Sequence, residues 1–399
     1  MSEDRHVLRE IAWQEVFPSV LLFSVWRVAI NLRALCFASL GIFVTWLGWL
    51  AIDKAVDMPA KDSVGGEWWA PVVLLPTNGW EWWNYSPIAQ AWADLTRPFA
   101  VAFAPDISGG RVFYLLACGL WALVVWAFAG GAITRLAAVQ LAREEKLSWG
   151  QLISYARTKW PSYFAAPLYP IVGALVATIP LAILGLLIRT GGFGVVVVAV
   201  LWPVVLCAGI VMAILLLGLF LNWPLMWPTI SSEGTDSFDA LSRSYAYSFQ
   251  RPLRYAGYLF VLAAIGVLAW LLVVAFGGEV LRLSEWAVKW GSGRRLDTIL
   301  LDRESLGGAS RFGANLIYLW NRVVHLLMMG FAFSYFFSGA TAVYLLLRYH
   351  IDATETDEVY LPDEAEAYGL PPLKADSAGV VQVADVATTA KTENGSPEG

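Results

Sequence analysis

Charge is scarce in this sequence. Of its 399 residues only 15% are Asp, Glu, Lys or Arg, against about 25% in soluble domains. What charge there is falls in short runs between long uncharged stretches. That distribution excludes an ordinary soluble globule and fits a chain that crosses a bilayer repeatedly. Histidine and cysteine are scarcer still. His6, His325 and His350 are the only histidines, and Cys36, Cys118 and Cys207 the only cysteines. An odd number of scattered cysteines, all inside predicted helices, excludes a disulfide framework and a zinc site. No HExxH, GxSxG or GxxxxGKS/T motif occurs, so metalloprotease, serine-hydrolase and phosphate-loop chemistry have no carrier here. No cofactor and no metal are expected. A basic block is missing too. Net charge is −5, and from Asp352 onward eleven acids face two lysines, which excludes a nucleic-acid partner.

Apolar residues make up 58% of the chain, and there are 21 tryptophans. Many of these stand beside the ends of apolar stretches, where an indole places an apolar body and a polar N–H in the headgroup layer. Six stretches reach the roughly 18–20 residues a crossing requires: Leu35 to Ile52, Val112 to Leu136, Tyr163 to Ile188, Phe193 to Leu221, Tyr255 to Phe276 and Val323 to Leu347. The expected fold class is therefore all-α, a polytopic transmembrane helical bundle of six spans. Residues 1–34 read as an N-terminal interfacial segment, amphipathic from Ile11 to Ile30 and without the pattern of a removable signal peptide. The transmembrane domain covers 35–351, with a Trp-rich outer loop at 53–111 and a second outer loop at 277–322. The acidic tail, 352–399, lacks apolar periodicity and is expected to be disordered.

Lys and Arg in short loops set orientation. Loop 137–162 carries Arg143, Lys146, Arg157 and Lys159, and loop 222–254 carries Arg243, Arg251 and Arg254, which favours both termini in the cytoplasm of a bacterial inner membrane. The seven basic residues of loop 277–322, diluted by five acids, stand against that assignment. Pro167, Pro170 and Pro180 are expected to kink span three, and Gly191 with Gly192 to make a tight turn into span four.

An internal repeat is the most informative pattern. The run from Glu144 recurs 89 residues later from Glu233, pairing Ser148 with Ser237, Trp149 with Phe238 and Leu152 with Leu241. Each copy follows one span and precedes another. Ser148 and Ser237 are expected N-caps of short amphipathic surface helices, 148–159 and 237–250. Pro161 and Pro252 would then turn the chain into the next span. Such units, separated by an even number of crossings, imply a parallel repeat of span, amphipathic elbow and span.

The second elbow, Pro228-Thr-Ile-Ser-Ser-Glu233-Gly234 through Ala240-Leu241-Ser-Arg243-Ser244, resembles the Glu-Gly…Ala-Leu-x-Arg-Ser segment of the membrane domain attached to some glycerophosphodiester phosphodiesterases. Related bacterial multi-span proteins of the UPF0259 type carry a similar elbow. The first copy departs from the pattern at Glu145, Gln151 and Ser154. The catalytic domain of that family is a separate soluble barrel for which this chain has no room. The resemblance thus implies a membrane fold, Glu233, Gly234 and Arg243 as its signature residues, and no activity. A carboxylate at Glu233 is expected to anchor the start of the second elbow through free backbone N–H groups.

Arg322 and His325, three residues apart near the outer end of span six, are candidates for a ligand or transport site; Arg322 reaching toward headgroups is the competing reading. Trp68, Trp69, Trp80, Trp82, Trp83 and Trp92 offer either a stacking surface or an aromatic belt. Two functions remain: a non-enzymatic scaffold or lipid-interacting protein, resting on the elbows, the Trp-rich loop and a lack of buried charge, and a small-molecule or lipid permease built on the repeat. An embedded enzyme would need clustered nucleophiles or carboxylates in the spans. Membrane lipids are the expected partners, with other membrane proteins as further candidates.

Overall fold

The computed structural model describes residues 18–59, 63–64, 87–102, 107–301, 306–361, 373–375 and 381–383. After a 3-10 turn at Pro18–Val20, the helices are α1 Leu21–Ala29, α2 Leu32–Val56, α3 Pro87–Ala102, α4 Gly109–Arg143, α5 Trp149–Ile188, α6 Gly192–Glu233, α7 Ser237–Gln250, α8 Pro252–Ser292, α9 Arg295–Leu301 and α10 Gly308–Asp352. Six of them, α2, α4, α5, α6, α8 and α10, are long and apolar enough to cross a membrane. The protein is an all-α, multi-span membrane protein.

Successive spans alternate in direction. One end of the bundle, here called proximal, gathers the turns at 144–148 and 234–236 and the end of α10. Contacts across it include Asn31 Nδ2 to Gln140 Oε1 at 3.2 Å, Arg33 to the Leu147 carbonyl, Lys159 to the Gly234 carbonyl, and Arg143 Nε to the Asp357 carbonyl at 3.1 Å. The opposite, distal end holds Asp53, whose carboxylate accepts from Ser63 Oγ at 2.5 Å and Tyr114 Oη at 2.6 Å, fastening α2 to α4.

Helix α10 is the hub. Gly330 to Leu347 is buried without interruption, against α1, α2, α3, α4, α6 and α8. Its sequence explains the position. Gly330, Ser334, Ser338, Gly339, Ala340, Thr341 and Ala342 keep it thin, and between membrane helices close approach and dispersion replace the hydrophobic effect as the attraction. The distal halves of α5 and α6 are different. Built of Val, Ile and Leu, they leave Val176, Ile179, Ile183, Val200, Val204 and Ile210 exposed, paired chiefly with each other as a lipid-facing hairpin. Gly191 closes that hairpin with φ +97°, a conformation open to glycine at little cost.

Several expectations change. In α1, the described part of the N-terminal amphipathic segment, Leu21, Leu22, Val25 and Val28 are buried against the bundle, while Phe23 and Trp26 face outward. Residues 1–17 lie outside the described residues. The expected outer loop 277–322 is mostly helix. Its charges are accommodated on helical turns, as where Arg282 and Glu279 pair at 2.6 Å, so polarity did not require a loop. Within 53–111, α3 is a helix wedged beside α4 and α10, and Trp68, Trp69, Trp80, Trp82 and Trp83 lie outside the described residues.

The two elbows also differ. Residues 149–160 are the opening of the continuous helix α5, whereas α7 is separate and breaks from α8 at Arg251 (φ −135°, ψ 57°). Pro252 stands at the first position of α8, where a missing N–H costs nothing. Pro161 lies inside α5, where Trp160 stacks on Phe164 at 5.5 Å and donates to the Val124 carbonyl at 3.0 Å, holding the helix across the proline.

The unit from Tyr360 to Gly399 is distinct from the bundle. In it β1, Leu373–Ala375, pairs antiparallel with β2, Val381–Val383, a short ladder where the sequence suggested no regular structure.

Candidate functional site

Helix α6 ends at the proximal face, and its last turn organises the polar residues around it. The final four carbonyls of a helix lack intrahelical partners. Side chains from other spans reach this turn: Arg135 Nη1 donates to the Ser231 carbonyl at 2.7 Å, and Tyr155 Oη to the Ile230 carbonyl at 2.8 Å, which already accepts from the Gly234 N–H at 3.0 Å. The Arg135 guanidinium also lies over the Tyr155 ring, 4.2 Å from its centre. Thr134 and Tyr163 each reach Ser231 Oγ at 2.7 Å. Arg135 is only 2% exposed, which overturns the expected lack of buried charge. The cation is tolerated because the negative end of the α6 dipole and a bare carbonyl face it.

Glu233 follows, at the last position of α6. A carboxylate there meets the unfavourable end of the helix dipole, and two cations offset this. Glu233 Oε2 pairs with Arg243 at 2.8 Å and Oε1 with Arg348 at 3.6 Å, while Tyr344 Oη donates to Oε1. The Glu233 side chain is 8% exposed. One carboxylate thereby ties α6, α7 and α10 together. Tyr247 extends the network, stacking on Tyr344 at 5.7 Å and donating to Asp352. Burial first, and that bond second, hold the Tyr247 phenol above its ordinary value.

The predicted residues are found as follows. Gly234 ends α6 in the left-handed region (φ +67°), a place for glycine. Glu233 does not anchor the start of α7. Asp236 does, accepting from the backbone N–H groups of Phe238 at 3.0 Å and Asp239 at 2.9 Å. Ser237 is therefore the first residue of α7 rather than its cap, and its hydroxyl meets Tyr169 Oη at 3.0 Å. The turn at 144–148 is longer than that at 234–236, so the sequence offset does not align the two caps. Ser148 is the expected N-cap of α5, in a capping box with Gln151. Glu144 is exposed, in the left-handed region after α4, and lines a polar cleft with Ser24, Arg27 and Gln140. Arg322 Nε donates to Tyr318 Oη at 2.7 Å, and His325 Nδ1 lies 2.8 Å from the Asn321 carbonyl, both local to α10.

Beside this network lies a partly open cavity of about 260 Å³ between α3, α4, α5 and α6. Its walls are apolar: Leu95, Phe99, Leu123, Ile171, Leu219 and Phe220 among them. Three indoles line it. Pro167 supplies no N–H for the Tyr163 carbonyl four residues earlier, and Trp227 Nε1 fills that gap at 2.8 Å. The indole N–H groups of Trp126 and Trp223 are buried and find no acceptor among the described residues.

No family model, curated protein or solved structure matches the chain.

Arg135, Tyr155, Ser231 and the two unpartnered indoles were not singled out in the sequence. One signal was present: Arg135 is a lone charge near the end of an apolar span. The indoles gave none, because tryptophan is abundant throughout the chain.

Proposed function

We propose that the protein is a non-enzymatic, lipid-interacting scaffold of a bacterial inner membrane, with both termini in the cytoplasm and a fold akin to the phosphodiesterase membrane domain its second elbow resembles. The supporting observation is the contrast between its polar and its empty space. The buried cluster at Arg135 and Glu233 is occupied with helix-end carbonyls and internal ion pairs, while the cavity beside it is walled by apolar side chains. Such a cavity suits hydrocarbon and disfavours a hydrated solute. The lipid-facing α5–α6 hairpin and the basic proximal loops fit the same reading.

Two measurements test it. Protein extracted with its surrounding membrane should carry lipids in proportions different from the bulk bilayer. Vesicles containing the purified protein, loaded with labelled sugars, amino acids and phosphate, should retain them as long as protein-free vesicles. Accelerated release of any of these would overturn the proposal in favour of a permease.

A further inference from the structure

We infer that the polar cleft between α1 and the end of α4 binds the headgroup of phosphatidylethanolamine from the proximal leaflet, with Arg27 on its phosphate and Glu144 on its ammonium. This assignment rests on the lipid-interacting reading and gives it one lipid and one place.

The cleft measures about 190 Å³ and is lined by Ser24, Arg27, Val28, Gln140, Leu141 and Glu144. A single water needs only roughly 10–15 Å³ of such space, so a group of several heavy atoms fits. Its free donors follow from the contacts around it. Asn31 Oδ1 accepts from the Arg33 N–H at 3.0 Å, which fixes the orientation of that amide, and Asn31 Nδ2 donates to Gln140 Oε1 at 3.2 Å. Gln140 is left with Nε2, a donor without a partner among the described residues. Arg27 Nη2 gives one N–H to Ser24 Oγ at 3.0 Å. The guanidinium keeps its other N–H groups and the serine keeps its hydroxyl hydrogen. Three donors, one of them cationic, suit the oxygens of a phosphate.

Glu144 decides the rest of the ligand. It lines the same cleft as Arg27, yet among the described residues neither forms an ion pair. A ligand with only negative charge would meet Glu144, and one with only positive charge would meet Arg27. A single carboxylate is too few for calcium, which takes roughly six to eight oxygens. A phosphate joined to a primary ammonium satisfies both charges. Place supplies the remainder. The apolar run of α4 ends at Leu141, and Arg143 and Glu144 follow, the change that marks the headgroup layer. Phe23, Trp26 and Ile30 share the outward face of α1 with Arg27 at helical spacing, and are 57%, 45% and 44% exposed. A headgroup in the cleft therefore has apolar side chains beside it for its acyl chains. A water-soluble zwitterion would leave that face bare.

The test uses the full chain in phosphatidylcholine nanodiscs holding a trace of photoreactive lipid. The probe has one diazirine-bearing chain and either a phosphoethanolamine or a phosphoglycerol head. On residues 21–30 the ethanolamine probe should give about threefold to tenfold more adduct than the glycerol probe, the worth of one hydrogen bond. Glu144→Gln should bring the ethanolamine signal down to the glycerol level. Arg27→Gln should lower both signals about threefold. Unlabelled phosphatidylethanolamine should compete, and soluble phosphoethanolamine at the same concentration should not. Equal labelling by the two probes on the wild-type protein overturns the assignment without any variant. An ethanolamine preference that survives Glu144→Gln overturns it as well. Competition by soluble phosphoethanolamine would overturn the lipid in favour of a free solute. The wider scaffold reading falls only on solute release.

Discussion

Glu233 and Arg243 meet at 2.8 Å across the turn between α6 and α7, with Arg348 3.6 Å away on the other carboxylate oxygen. The pair joins a span to a surface helix and both to α10. Because Arg243 stays partly exposed, solvent screens its share, and the Arg348 and Tyr344 contacts carry more of the energy.

Glu233→Gln leaves Arg348 facing the helix end without its carboxylate, and should cost about 1–3 kcal/mol. Glu144→Gln, at an exposed turn, should cost under about 0.5 kcal/mol. Melting temperatures and folded yield in mild detergent measure the contrast. A normal melting temperature for Glu233→Gln together with altered solute flux would assign Glu233 to transport.

Arg135 separates charge from shape. Arg135→Lys keeps a buried cation but loses the flat stack on Tyr155, and should destabilise by about 2 kcal/mol. Arg135→Met leaves the Ser231 carbonyl without that donor yet removes the desolvated charge, and should stay within about 1 kcal/mol of the native protein. The opposite order in thermal melts would show that the charge itself holds the spans.

Alkaline pH should loosen α7. Burial raises Tyr245 to about 12, and burial with the Asp352 bond raises Tyr247. Both phenols are favoured neutral in the fold. Their contribution is intact below pH 10, the ordinary tyrosine value, and is lost as pH climbs above it. Melting temperature should be level from about pH 7 to 9 and fall beyond 10. Tyr245→Phe should soften the fall while losing about 1 kcal/mol with its bond to the Leu215 carbonyl.

Reporter fusions after residues 60, 150, 240, 300 and 360 should read outside, inside, inside, outside, inside. A reversed set at every site would invert the protein in the membrane while keeping its fold. An outside signal at 150 alone would break the alternation of spans.

The six crossings were legible because each needs a long apolar run, and a bilayer enforces that on sequence more strictly than a soluble core does. Gly191 and Ser148 were legible for local reasons, since a tight turn and a helix cap restrict residue type directly. The role of Ser237 was misassigned by one residue because Asp236, an equally good cap, precedes it. Where α8 ends was hidden for another reason: hydropathy reports the membrane, and a helix that outlasts the bilayer changes composition without changing conformation. The Arg135 and Glu233 contacts and the indole-lined cavity arise from spans far apart in sequence, so no local pattern encodes them.

The fusion of residues 149–160 into α5 has a mechanical consequence. At 1.5 Å per residue the helix is about 60 Å long, one continuous helix from the proximal surface to the Gly191 turn. Lys159 grips the far side of that surface at the Gly234 and Thr235 carbonyls, the latter at 3.3 Å. Force applied to the exposed start of α5 passes into one continuous helix, with backbone N–H donors missing at Pro161, Pro167, Pro170 and Pro180. The same force on α7 dissipates at Arg251, where the chain leaves helical geometry before α8 begins. Residues 149–160 thus run directly on into a span, whereas α7 meets the next span through a break in the helix.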